Sequence, residues 1–227
     1  EQAYDVLSTA VALTLAPQTF WSSLSDSGFG APTGIDFPGE AAGKLRDFKT
    51  WRPIEQATIS YGNGISVNLL QLARAYTTFA NDGELKPITL LKQEQPPVGV
   101  KVYSDNTAHA VRAMLEMVVQ PGGTAPLAQV AGYRVAGKTG TAHKLLNGKY
   151  VDRYVASFVG LAPASNPRLI VAVMVDEPGG KEYYGGQVAA PAFSSVMNAA
   201  LRVLDVPYDA PLDNVLQAPG EIIGEEV

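Results

Sequence analysis

The spacing of apolar positions divides the chain into a helical stretch and a sheet stretch. After Ser66, the residues Leu69, Leu70, Leu72, Ala73, Ala75 and Tyr76 recur at helical spacing. A helix is expected there, with Ser66 as its N-cap and Asn81-Asp82-Gly83 as its stop. A second helix is expected over about 107–119, where Ala108, Val111, Met114, Leu115 and Val118 share a face before Gly122-Gly123. From residue 132 the pattern becomes that of strands, expected at 133–143, 153–162 and 168–176. Asn147-Gly148 and Ser165-Asn166-Pro167 turn the chain between them. The run Leu169–Val175 is almost entirely apolar and reads as a central strand. A last helix is expected at about 191–204, with Phe193, Val196, Met197, Ala200 and Leu204 on one face. Upstream the pattern is less decisive. Residues 1–25 mix helical and ambiguous signals, 28–34 is a glycine-rich loop, Phe37-Pro38-Gly39-Glu40 is a turn, and 41–56 reads as irregular. Helices, then an antiparallel meander, then a helix make an α+β fold, an antiparallel sheet packed with helices.

Composition narrows the class. The chain has 227 residues, 46% of them hydrophobic, enough for one large domain or two small ones. A net charge of -5 and scattered aromatic residues argue against nucleic acid as a partner. There are no cysteines, which excludes disulfides, thiolate metal sites and a cysteine nucleophile. His109 and His143 are the two histidines and stand far apart, so neither a metal nor a cofactor is expected. No stretch reaches the roughly 20 apolar residues of a membrane span. Glu1-Gln2-Ala3-Tyr4-Asp5 is not a signal peptide, and the abrupt opening reads like something cut from a longer protein. The tail, 207–227, is expected to be flexible.

The most pointed chemistry is Lys138-Thr139-Gly140-Thr141, which falls on the first expected strand. Alternation puts Lys138 and Gly140 on one face, Thr139 and Thr141 on the other. An edge strand bordering a cleft offers its backbone to an extended ligand. Gly140 lets that ligand approach closely. Lysine supplies positive potential, the two hydroxyls exchange protons and hydrogen bonds, and a backbone N–H can stabilise an oxyanion. An ordinary strand with an exposed lysine carries the same three letters by chance, so the motif is moderate evidence by itself.

Longer strings carry a family resemblance. They are Gly34-Ile35-Asp36-Phe37-Pro38-Gly39-Glu40, Ala57-Thr58-Ile59-Ser60-Tyr61-Gly62-Asn63-Gly64, Leu70-Gln71-Leu72-Ala73-Arg74-Ala75-Tyr76, Ala80-Asn81-Asp82-Gly83, Ala136–Ala142, and Asp176-Glu177-Pro178 followed by Tyr184-Gly185-Gly186. Together, in order over roughly residues 20–205, they resemble the division-specific class B penicillin-binding proteins of Gram-negative bacteria, the FtsI type. The resemblance implies the penicillin-binding, serine β-lactamase-like transpeptidase fold, incomplete on its N-terminal side. Residues 1–227 are then the C-terminal portion of one transpeptidase domain. It implies a peptidoglycan D,D-transpeptidase that cross-links stem peptides in septal wall synthesis through an acyl-enzyme, and that β-lactams inactivate. Lys138 is expected in the proton-transfer network, and Thr139 and Thr141 on the terminal carboxylate. The Thr141 N–H is expected in the oxyanion hole, with Gly140, Tyr61, His143, Tyr183 and Tyr184 lining the cleft. The implied partners are stem peptides and their lipid-linked precursor, β-lactams, and divisome proteins including a glycosyltransferase. The implied place is the periplasmic face of the inner membrane, held by an N-terminal span not present in this chain.

The chain departs from the family pattern in several places. No Ser-x-x-Lys occurs in it, and Thr89–Lys92 and Thr141–Lys144 do not look like a nucleophile at a helix start. The place of the Ser-x-Asn motif falls on Ala3-Tyr4-Asp5. Ser66-Val67-Asn68 and Ser104-Asp105-Asn106 match its letters elsewhere but read as helix caps. Asn63 replaces a frequent tyrosine, and His143 a frequent arginine, so that charge at 143 depends on protonation. Two other readings stay open. One is a catalytically silent module of the same fold that only binds or scaffolds. The other is a D,D-carboxypeptidase or serine β-lactamase, against which the strings around Tyr61 and Leu70 speak.

Overall fold

The computed structural model describes residues 2–215, and its chain falls into two compact units, residues 1–109 and 110–227. The first unit is helical. It holds α1 (Gln2–Thr14), α2 (Pro17–Asp26), α3 (Pro53–Ile59), α4 (Leu69–Ala75) and α5 (Thr77–Ala80). A two-stranded ribbon, β1 (Glu84–Leu85) against β2 (Val100–Lys101), and the start of α6 (Asp105–Met117) complete it. The second unit holds the rest of α6, β3 (Ala136–Leu146), β4 (Lys149–Ala162), β5 (Leu169–Asp176) and α7 (Gly185–Val203).

Two glutamines organise the first unit. Gln56 on α3 is buried and donates to the carbonyls of Ala12 and Leu15 at 2.8 and 2.9 Å, satisfying the end of α1. Gln71 on α4 is 1% exposed and donates to the carbonyls of Ala31 and Ala42 at 2.6 and 2.8 Å, tying the glycine-rich loop to the segment that follows the Phe37–Glu40 turn. Its Oε1 accepts from the Asn68 N–H at 2.8 Å, and Asn68 Oδ1 accepts from the Gln71 N–H at 2.6 Å. That reciprocal capping box makes Asn68 the cap of α4. Ser66, expected in that role, instead pairs with Lys44 through the backbone. Ser104 does cap α6, accepting from the Thr107 N–H at 3.1 Å. The segment expected to be irregular contains a 3-10 turn at Phe48–Thr50 and the first turn of α3. Pro53 in the first turn and Glu55 three residues after Arg52 were its helix-start signals.

In the second unit the three expected strands form one antiparallel sheet in the order β3-β4-β5. Asn147 and Gly148, both at positive φ (49° and 76°), make the tight turn between β3 and β4. Among the described strands β4 lies between β3 and β5. The apolar run of β5 draws burial from both faces. Leu169, Val171 and Val173 pack on the core, and the alternate residues Ile170 and Ala172 are also half-buried. α7 packs on the sheet through Phe193, Met197 and Leu201, all 0% exposed, with Phe193 edge-on to Phe158 at 4.7 Å. The helix begins six residues before the expected start and carries Pro191 inside it.

The stretch 207–227, expected to be flexible, makes side-chain contacts at 208–214 among its described residues. Asp209 accepts from the Arg134 N–H at 2.7 Å and from the Ser165 hydroxyl at 2.6 Å. Asn214 accepts from the Gly132 N–H at 3.0 Å and donates to the Tyr133 carbonyl at 2.9 Å. Tyr208 packs on Tyr133 with ring centres 5.0 Å apart. Residues 216–227 lie outside the described residues.

Glu55 supplies a pH test of the first unit. Its carboxylate accepts from the Arg52 N–H at 2.8 Å and from the Arg46 guanidinium at 2.8 Å. These bonds, the Arg52 N–H first, hold its pKa down at about 2. A depressed pKa stabilises the fold above the carboxyl's ordinary range, and that stability is lost as pH falls from about 4.5 toward 2. Thermal unfolding of Glu55→Gln should therefore lie below the native chain at pH 7. The gap should narrow steadily below pH 4.5, and a gap independent of pH would contradict this assignment.

Candidate active site

Lys138, Thr139, Gly140 and Thr141 lie on β3, at the opposite sheet edge from β5. The register pairs Thr139 with Phe158 and Gly140 with Ser157. Phe158 faces α7, so Thr139 and Thr141 face α7 as well, as strand alternation requires. Lys138 is exposed and lies on the opposite face. Its Nζ donates to the Thr139 carbonyl at 3.1 Å and reaches Thr139 Oγ1 at 3.4 Å.

The first turn of α7 closes on this strand. The Gly185 N–H donates to Thr141 Oγ1 at 3.1 Å. A Cβ at 185 would stand 2.3 Å from the Ser157 carbonyl oxygen and 2.7 Å from that of Gly140. Both neighbours are backbone, so only glycine permits the approach. A Cβ at Gly140 would stand 2.5 Å from Ser157 Oγ, which itself donates to the Gly140 carbonyl at 3.3 Å. Beside them Thr124 Oγ1 lies 3.2 Å from Thr139 Oγ1. Thr124 was not anticipated. Gly122-Gly123-Thr124 carried only the signal of a helix stop, and nothing in sequence spacing links it to a strand 15 residues later.

Further along β3, His143 begins a ladder of rings. It lies 4.5 Å from Tyr154, Tyr154 stacks on Tyr183 at 4.1 Å, and Tyr183 meets Tyr184 at 4.4 Å. The Tyr183 hydroxyl donates to that of Tyr184 at 3.1 Å. His143 Nδ1 donates to the Val151 carbonyl at 3.2 Å, which leaves Nε2 as the acceptor of the neutral ring. Tyr154, also missed by the sequence reading, donates to Asp152 Oδ1 at 2.6 Å. That bond to a carboxylate, with some burial, pushes the phenol up to about 12. Lys144 is committed elsewhere. It bridges Asp176 at 2.9 Å and Glu177 at 2.8 Å, and both carboxylates, Glu177 first, raise its pKa. The Thr141–Lys144 string thus lies on a strand with its lysine in ion pairs, and Thr89–Lys92 lies in an irregular segment. Neither is a nucleophile at a helix start.

The second unit therefore brings together Lys138, Thr139, Gly140, Thr141, His143, Tyr183 and Tyr184. Tyr61 belongs to the first unit, exposed in the turn that follows α3.

Lys-Thr-Gly-Thr thus lies on an edge strand closed by the glycine start of α7, the arrangement expected of a transpeptidase-type fold. The chain belongs to the penicillin binding protein transpeptidase domain family, whose model matches residues 2–198. Among its relatives is the probable peptidoglycan D,D-transpeptidase PenA of Neisseria flavescens, 45% identical over 215 residues, covering 94% of this chain and 54% of that protein. The peptidoglycan D,D-transpeptidase FtsI of Escherichia coli K12 is 37% identical over 201 residues, covering 88% of this chain and 34% of that protein. The apo structure of the TP domain from Burkholderia pseudomallei penicillin-binding protein 3 superposes with a TM-score of 0.87 at 51% identity, covering 91% of this chain and 63% of that one. The chain thus spans about half the length of the first relative and about a third of the second.

The close packing at 185 is directly testable. Gly185→Ala should destabilise the chain by about 1–3 kcal/mol, the usual range for overpacking against rigid neighbours. It should also break the bond to Thr141, read as increased hydrogen exchange at the Gly185-position amide. Unchanged unfolding and unchanged exchange would show that the helix start is not held as described.

Proposed function

We propose that this chain is the carboxylate-binding and oxyanion-stabilising part of a peptidoglycan D,D-transpeptidase that works in septal wall synthesis. The observation that carries the reading is Thr139 and Thr141 on one face of an edge strand, beside Lys138 and under the Gly185 N–H. Two hydroxyls and a cation suit the free carboxylate of a D-Ala–D-Ala terminus. The Thr141 backbone N–H serves as one oxyanion donor. In the reaction a serine oxygen bonds to the penultimate D-Ala carbonyl carbon, and the C–N bond to the terminal D-Ala breaks. That residue leaves as the free amino acid, taking the serine's proton. An amine from a neighbouring stem then bonds to the same carbonyl carbon, the C–O bond to the serine breaks, and a proton from the amine restores the serine hydroxyl. The 227 residues contain no Ser-x-x-Lys, so the serine is sought in the full-length protein. A β-lactam acylates the same serine.

Around the carboxylate subsite, His143 and the tyrosine ladder form the wall against which the rest of the donor peptide lies. Tyr61 is assigned to the same cleft on the family pattern alone. The full-length protein is placed at the periplasmic face of the inner membrane, acting on stem peptides of a lipid-linked precursor with a glycosyltransferase and other divisome proteins. Relatives named FtsI and PenA support that placement. No helix among the described residues is long and apolar enough to cross a membrane.

Two experiments test the reading. Intact-mass measurement of the 227-residue chain with penicillin should show no adduct, whereas the full-length protein should gain one drug mass. An adduct mapped to a serine of this chain would overturn the division of labour, and an inert full-length protein would favour the silent module. In the full-length protein, Lys138→Met keeps the side-chain length but removes charge and donors. Loss of such a contact costs a transition state ~2–4 kcal/mol, or about 30- to 1000-fold in acylation rate. An unchanged second-order rate with a fluorescent penicillin, at normal thermal stability, would remove Lys138 from the catalytic site.

A further inference from the structure

The chain holds two Asn-Gly steps, Asn63-Gly64 and Asn147-Gly148, and the fold gives them different surroundings. At such a step the asparagine side chain is open to attack by its own backbone, because glycine carries no side chain to shield the next nitrogen. Asn63 is half-buried in the turn after α3. Its N–H donates to the Thr58 carbonyl at 3.0 Å, and two residues beyond Gly64, Ser66 exchanges backbone bonds with Lys44 at 2.7 and 3.0 Å. Asn147 is exposed at the tip of the β3–β4 hairpin, and a Cβ at Gly148 would meet nothing within 4 Å. Beyond the register shift between His143 and Leu145, the tip is closed by the pairs Leu145 with Tyr150 and Leu146 with Lys149. The side chains of Leu145, Leu146 and Tyr150 are exposed, so little apolar burial holds these pairs together. We propose that Asn147 is a site of spontaneous modification, converted by water to aspartate and isoaspartate through a cyclic imide formed with Gly148.

The step balances with water as its only co-reactant. The Gly148 nitrogen bonds to the side-chain carbonyl carbon of Asn147. The bond from that carbon to Nδ2 breaks, and the Gly148 proton leaves with the nitrogen as ammonia. Water then opens the ring. Cleavage at the side-chain carbonyl gives aspartate. Cleavage at the main-chain carbonyl gives isoaspartate, whose backbone runs through the former side chain and is one carbon longer. Either product replaces a neutral amide with a carboxylate. In the closed turn both residues are held at positive φ, so ring closure needs the tip to open first. The weakly held pairs beyond the register shift allow that opening. The two products then act differently on the turn. Asp-Gly suits a two-residue turn as Asn-Gly does, so aspartate keeps the pairing of Leu146 with Lys149. The longer backbone of isoaspartate does not fit that turn, and the tip stays open as far as the register shift.

The test is peptide mapping by mass spectrometry of the full-length protein, stored in mildly alkaline buffer, with a urea-unfolded sample beside it. In urea the two Asn-Gly steps should convert at similar rates. In the folded protein Asn147 should convert about fivefold faster than Asn63 or more, because its local opening costs less. The isoaspartate form, separated by chromatography, should exchange the amide hydrogens of 145–150 faster than fresh protein. Asn147→Asp should exchange them at the native rate. Equal conversion of the two sites in the folded protein, or faster conversion of Asn63, would overturn the proposal. So would an Asn147 that stays intact in the folded protein while it converts in urea. An isoaspartate form with native exchange would overturn the effect assigned to the turn.

Discussion

The arrangement of the second unit depends on one steric constraint, the contact of the α7 backbone with the backbones of β3 and β4 at Gly185. A helix of ordinary composition cannot sit with its first residue against two strand carbonyls, because the Cβ it would carry has no room. With glycine there, the helix N–H reaches Thr141, Gly186 reaches the Thr124 loop, and Tyr184 is set at the mouth of the same helix. Phe193 and Met197, two and three turns on, then land on the sheet core. The apolar burial supplies most of the driving force. The glycine decides where along the sheet that burial can occur.

Much of this was legible in the pattern of residues, for identifiable reasons. Strands β3, β4 and β5 were expected within a few residues of their ends because apolar runs and turn signals are local, and Asn147-Gly148 leaves little freedom of register. Lys138 was expected on the strand face opposite Thr139 and Thr141 for the same local reason. α7 was expected to start at residue 191 and starts at 185. Its first turn holds two glycines, poor helix formers whose helical state comes from tertiary packing.

Thr124 and Tyr154 show what local pattern leaves out. Each becomes part of the site only through a neighbour distant in sequence or across a strand pair, Thr139 for one and His143 and Tyr183 for the other. The literal motif matches show the reverse. Ser104 has the letters of a family motif and acts as a cap, and in Ser66-Val67-Asn68 the asparagine is the residue that caps. Short polar residues before a helix are favoured by the same hydrogen-bonding capacity that active sites use, so letters alone do not separate the two.

The fastening of residues 208–214 has a consequence for how variation is distributed. Most partners of Asp209 and Asn214 are backbone groups, those of Gly132, Tyr133, Arg134 and Ser165. A main-chain N–H or carbonyl persists whatever side chain is attached to it. Substitution of Arg134 or Ser165 therefore leaves a backbone partner in place, while substitution of Asp209 or Asn214 removes the contact. Selection on this clasp acts at one end only, and no compensating change on the other side can repair its loss. Such a contact leaves no trace of paired variation between its two halves, although it ties together positions about eighty residues apart.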